Sequence, residues 1–106
     1  MILTEQDKAT LLAIGVPAED FQQIQEAALS KYTRYELYKN GEDKGKRISR
    51  DEAIRLLGRK EWLSGLSRSA FHFSAVRLVE NSDLFVLFDS RKYFAELFQT
   101  TNKEDF

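Results

Sequence analysis

Ser69 and His72 stand three residues apart, close enough on one helical turn for a hydroxyl to meet an imidazole as nucleophile and general base. Such a pair also needs an orienting acid and donors for a developing oxyanion. Asp89 is a conceivable third member, yet an aspartate before Ser90 and Arg91 is explained more cheaply as a helix cap. His72 is the only histidine and lies between Phe71 and Phe73, the setting of a packed ring with one satisfied nitrogen. One histidine in a chain without cysteine cannot anchor a zinc site without unusual carboxylate help. The acidic pairs Glu19/Asp20, Glu42/Asp43 and Asp51/Glu52 are neighbours in sequence, and adjacent side chains on a helix diverge. Gly41 and Gly45 occupy a polar loop, and no glycine-rich phosphate fingerprint follows a strand. A small hydrolase around Ser69 and His72 is therefore the third reading of function. No catalytic set, metal or cofactor is expected.

The charge pattern carries more. Residues 44–68 hold eight basic side chains against three acidic ones, a local balance of +5 in a chain whose net charge is −1. Residues 1–43 and 80–106 are acidic, at −4 and −3. Two readings follow: a solvated helix face paired with the acidic flanks, or a docking surface for an acidic partner or a phosphate backbone. The candidate binding residues are Lys44, Lys46, Arg47, Arg50, Arg55, Arg59 and Arg68. Arginine outnumbers lysine among them, which favours planar, bidentate contacts. Arg55 and Arg59 are four apart and share a face if Gly58 merely kinks the helix; a true break there separates them.

The elements that must position these residues follow from capping and periodicity. Thr4 with Asp7 marks a helix start, Leu11, Leu12 and Ile14 an apolar stripe, and Gly15 an end. Pro17 suits the first position of a second helix, with Phe21, Ile24, Ala28 and Tyr32 near helical spacing. At Arg34 the pattern becomes alternating, with Tyr35 and Leu37 on one side of a strand and Glu36 and Tyr38 on the other; Asn40-Gly41 ends it. Residues 41–47 read as a polar loop. Ser49 and Glu52 form a capping box before the buried stripe of Ala53, Ile54 and Leu57, and Gly58 ends or kinks that helix. The next helix runs from about Lys60 to Phe71, with Trp62, Leu63, Leu66 and Ala70 inward. Residues 73–88 read as a hairpin turning at Asn81-Ser82-Asp83, with Val76, Leu78, Phe85 and Leu87 alternating; helical extension through Val76 is the alternative. Asp89 or Ser90 caps a last helix with Tyr93, Phe94, Leu97 and Phe98 on its face.

These elements make one α+β domain over residues 1–98: a helical hairpin, a small antiparallel sheet of about three strands, and covering helices, followed by a frayed tail at 99–106. A chain of 106 residues that is 42% hydrophobic has the material for one core. Met1-Ile2-Leu3-Thr4-Glu5 has no basic or apolar leader, and the run from Leu84 to Phe88 is far short of the roughly 20 residues of a membrane span. With no cysteine, a cytoplasmic protein that does not engage membranes is expected.

Residues 48–73, from Ile48-Ser49-Arg50 through Trp62-Leu63 to Phe71-His72-Phe73, look like small uncharacterised accessory proteins encoded on conjugative elements and prophages of gut Firmicutes. The resemblance continues through Phe88-Asp89-Ser90 and covers roughly the last two thirds of the chain. It names no activity and implies a helper role in a mobile element, of the kind exerted by binding a larger machine. The leading expectation is a non-enzymatic binding or regulatory module acting on a protein complex. Direct nucleic-acid binding through residues 44–68 comes second, so a protein partner is expected ahead of nucleic acid.

Overall fold

The computed structural model describes residues 3–69, 73–93 and 95. Its first helix, α1 (Glu5–Ala13), starts from a complete capping box: the Asp7 N–H donates to the Thr4 hydroxyl while the Thr4 N–H donates to the Asp7 carboxylate. The helix stops at Ile14, and Gly15 follows at φ 95°, a conformation that costs glycine nothing. Leu11 is buried, but Leu12 and Ile14 are exposed, so the expected stripe narrows to one residue. Pro17 precedes a single 3-10 turn, Ala18–Asp20, and α2 then runs Phe21–Leu29 with Ile24, Ala27 and Ala28 buried. Tyr32 lies beyond its end. The two helices pack on α4 more than on each other.

The sheet has four antiparallel strands rather than three, in the order β2-β1-β4-β3. They are β1 (Arg34–Lys39), β2 (Lys46–Ile48), β3 (Phe73–Arg77) and β4 (Leu84–Asp89). The added strand is β2, the end of what reads as loop; it pairs Tyr35 with Ile48 and Leu37 with Lys46. Residues 73–77 are strand, which decides against a helical extension through Val76. The hairpin turns where expected, but its second strand has the opposite parity. Val76 pairs with Val86 and Ser74 with Phe88, so Val86 and Phe88 are buried while Phe85 and Leu87 face away. Both sets are apolar, and packing under the helices selects one of them.

Between β2 and β3 lie α3 (Arg50–Leu57) and α4 (Arg59–Arg68), separated by Gly58 at φ 84°. The Ser49 hydroxyl accepts from the Glu52 N–H, but the Glu52 carboxylate turns to Arg55. Only half of the expected capping box forms. Helix α4 carries Trp62, Leu63 and Leu66 into the core, as its spacing indicates. Trp62 donates its indole N–H to the Tyr35 hydroxyl at 3.4 Å, and Tyr35 meets Phe88 edge-on at 5.4 Å. Gly65 lies against the sheet so closely that a Cβ there would stand 2.7 Å from the Phe88 ring and 2.9 Å from Val76. Beyond β4, the backbone is helical at residues 91–93, and Asp89 caps it by accepting from the Arg91 N–H. Ala70, Phe71, His72, Phe94, Leu97, Phe98 and the tail at 99–106 lie outside the described residues.

Two substitutions test this packing. Trp62→Ala should cost about 3–5 kcal/mol, because the ring is fully buried. Gly65→Ala gains about 1 kcal/mol of helix propensity but forces a methyl into an occupied space, at about 1–3 kcal/mol. The urea midpoint should therefore fall for both. A midpoint that rises for Gly65→Ala would show that α4 is free to lift from Phe88.

Candidate functional site

The basic segment divides at Gly58. Because φ 84° is a true break and not a kink, Arg55 and Arg59 do not share a helix face. Arg55 stays on α3 and forms a fork with Glu52, its Nε 3.0 Å from the carboxylate. Arg59 begins α4 and turns back to α1, where its Nε and Nη2 donate to the two Asp7 oxygens at 2.7 and 2.8 Å. The Asp7 side chain is 3% exposed and that of Arg59 is 40% exposed. The guanidinium also lies 5.4 Å from the Trp62 ring centre. Arg68 is exposed and donates to the Ser64 carbonyl within its own helix. These three arginines thus have partners inside the fold, but only Arg59 pairs with an acidic flank; Arg55 pairs within the basic segment and Arg68 with a backbone carbonyl.

The amino-terminal part behaves differently. Lys44, Lys46 and Arg47 are exposed in the β1–β2 turn and on β2, and their side chains make no hydrogen bond or ion pair among the described residues. Next to them is a cavity of about 270 Å³, bounded by the end of α2, the start of β1, β2 and the start of α3. Three arginines line it: Arg47 and Arg50 from the basic segment, and Arg34 from β1. Arg34 donates to Glu36 at 3.0 Å, and Arg50 donates through Nη1 to the Ala28 carbonyl at 3.4 Å. Arg50 Nε lies 3.6 Å from Asp51, too far for a hydrogen bond. That nitrogen and the hydroxyl of Thr33, a residue that also lines the cavity, are buried with no hydrogen-bond partner among the described residues. Sequence reasoning passed over Thr33 and Arg34, which precede or open a strand well outside residues 44–68. Only the β1–β2 pairing brings them to Arg47.

Of the hydrolase pair, only Ser69 is among the described residues. Ser69 ends α4 fully buried; its hydroxyl donates to the Leu66 carbonyl at 2.8 Å and lies 3.0 Å from the buried Ser90 hydroxyl. A hydroxyl so enclosed is not presented to a substrate. Asp89, the conceivable third member, is held by Arg91, whose fork keeps its carboxyl below the ordinary range despite opposing burial. Among the described residues no group of three or more His, Cys, Asp or Glu could hold a metal ion, and no helix is long and apolar enough to cross a membrane. No protein-family model, curated protein or solved structure matches the chain.

The Asp7–Arg59 pair has a pH signature. Burial pushes the Asp7 carboxyl up, but the Arg59 fork and the Thr4 cap outweigh it and hold the group below 3.8. The unfolded carboxyl therefore takes its proton more readily than the folded one. Its contribution to stability is complete above about 3.8 and is lost as pH falls through the lower folded value. Asp7→Asn should be less stable than wild type at neutral pH and lose less on acidification; parallel acid limbs would contradict the assignment. Arg59→Glu should cost about 2–3 kcal/mol, below the roughly 3–5 kcal/mol of a fully buried pair because Arg59 reaches solvent. Arg55→Glu should leave the thermal midpoint nearly unchanged.

Proposed function

We infer that this protein is a non-enzymatic binding module that docks an anionic partner on the β1–β2 edge of its sheet, as a regulatory helper of a larger complex. One observation carries the reading. Lys44, Lys46 and Arg47 are exposed at that edge and make no side-chain hydrogen bond or ion pair among the described residues, beside Arg34 and Arg50. The rest of the candidate set, Arg55, Arg59 and Arg68, is engaged within the fold. Exposed cations outside an ion pair break no internal contact on binding, so they are the ones that attract a partner at range. The burial of the Ser69 hydroxyl supports setting catalysis aside. The likeness to accessory proteins of mobile elements supports a helper role, and a cysteine-free chain is compatible with a cytoplasmic setting. Within this reading the partner is an acidic protein surface or a nucleic-acid backbone. The first is the expected partner, in keeping with a helper that binds a larger complex, and the second is the alternative.

The reading is tested with two polyanion probes, a poly-glutamate peptide and a single-stranded oligonucleotide, followed by fluorescence anisotropy. Lys46→Glu/Arg47→Glu should abolish binding to whichever probe wild type retains, and Arg55→Glu should leave it intact. Binding to the oligonucleotide should fall steeply between about 50 and 200 mM salt as counterions compete. Equal binding by wild type and the reversed pair would remove the β1–β2 edge from consideration.

A further inference from the structure

The geometry points to the open face of the sheet as the seat of an acidic amphipathic helix presented by a partner protein. This rests on the reading that an acidic protein docks at the β1–β2 edge, and it names the element that docks and the face that receives it.

Alternation along the four strands divides their side chains between two faces. The register puts Tyr35, Ile48, Val86, Phe88, Ser74 and Val76 together on the first. Helix α4 reaches the sheet there, with Gly65 against Phe88 and Trp62 bonded to Tyr35. The second face carries Tyr38 from β1, Phe85 and Leu87 from β4, and Phe73 and Ala75 from β3. None of these belongs to the core. Phe73 is 53% exposed, with the Arg91 guanidinium 5.1 Å from its ring centre, and Ala75 on the same strand is exposed as well. A sheet face this apolar is ordinarily covered by another element. Its size admits one helix. Four strands about 4.8 Å apart, the central two six residues long at about 3.4 Å each, make a surface of roughly 14 by 20 Å. A helix with its side chains is about 10–12 Å across.

Charge selects the kind of helix. Arg34, Arg47, Arg77 and Arg91 reach this face, against two carboxylates, Glu36 and Asp89. Asp89 is taken by Arg91. Glu36 lies across the ladder from Arg47, but its two oxygens accept from Arg34 and from the Tyr38 hydroxyl. Arg77 donates to the Ser82 carbonyl. Arg47 and Arg77 thus make no ion pair among the described residues, and they stand on the two edge strands with the apolar residues between them. A helix with an apolar stripe and acids on both flanks complements that layout. Arginine and aromatic side chains without lysine are also the composition of protein interfaces; both strand lysines, Lys39 and Lys46, fall on the first face. A nucleic-acid strand fits less well, because bases stack on open ring faces. The Tyr38 and Phe85 rings stack on each other, 5.4 Å apart and 10° from parallel, and Gly45 lies so close to Tyr38 that a Cβ there would overlap the ring.

The experiment follows the methyl resonances of the whole chain by NMR. The first probe is a stapled helix of about 14 residues, close to the length of the central strands at about 1.5 Å per residue. It carries leucine along one stripe and glutamate on both flanks. The others are a scrambled peptide of the same composition, poly-glutamate and oligothymidylate. With the helix, the Ala75 and Leu87 methyls should move while those of Val76 and Leu66 stay. Ala75→Glu, which sets a charge in the apolar strip, and Arg77→Glu should each weaken the helix about tenfold or more. Both positions are exposed on an edge strand, so both variants should melt near wild type, and the wild-type methyl shifts decide independently of either. Equal binding of the scrambled peptide would reduce the contact to charge alone and overturn the proposal. Poly-glutamate binding lost in Lys46→Glu/Arg47→Glu, with neither methyl moved by the helix, would also overturn it and leave the docking edge standing. A helix that moves both methyls in a protein that ignores poly-glutamate would keep the face and remove the edge. Oligothymidylate that moves the same methyls and displaces the helix would make nucleic acid the occupant. Methyl shifts that follow protein concentration alone would make it a second copy of the chain. Either result overturns the assignment.

Discussion

The close approach of α4 to the sheet is the contact on which the remaining structure depends. It is possible because residue 65 has no side chain; any Cβ there would meet Phe88 and Val76 inside van der Waals distance. With that approach made, Trp62 and Leu66 reach the core, the indole N–H finds Tyr35, and Phe88 is covered. Helices α1, α2 and α3 all then pack on α4. All three other helices thus meet α4, and α3 also touches β1 directly, so the orientation of α4 bears on where their capping and charged residues end up.

Gly58 sets that orientation. A residue at φ 84° ends α3 and starts α4 in a new direction, which is strained for any side chain with a Cβ. The turn carries Arg59 away from Arg55 and onto Asp7, at the first turn of α1. Asp7 accordingly does two jobs: it completes the cap with Thr4 and it neutralises a half-exposed arginine. A buried carboxylate without that partner would be costly, so the pair constrains how α1 meets α4. The same break explains why a continuous run of cations in sequence is two sets in space. One set is bonded within helices or between them; the other stands at the β1–β2 edge beside the arginine-lined cavity.

Much of this was legible because local rules operate locally. Thr4, Ser49 and Gly58 announce helix ends through short-range hydrogen bonds and backbone preference, and the hairpin at Asn81-Ser82-Asp83 declares itself by its turn residues. What escaped reading has physical reasons. Strand β2 is three residues long, two of them basic, so it shows no alternation of apolar and polar positions. The parity of β4 is hidden because Leu84, Val86 and Phe88 alternate with Phe85 and Leu87, and either set could be buried. Asp7 and Arg59 are 52 positions apart and no local pattern links them. The cavity unites Thr33 and Arg34 with Arg47 and Arg50 only after β1 and β2 pair, which leaves the site half visible in the charge pattern and half not.

The division of the basic segment into a bonded set and a docking set is tested most directly by two double-mutant cycles on chemical denaturation. One combines Asp7→Asn with Arg59→Gln; the other combines Glu52→Gln with Arg55→Gln, a pair of the same chemistry held at the surface of α3. The account predicts a coupling of about 1–3 kcal/mol for Asp7 with Arg59 and none beyond experimental error for Glu52 with Arg55. Equal coupling in the two cycles would contradict it, because Arg59 would then be a surface charge like its neighbours and Gly58 would divide nothing.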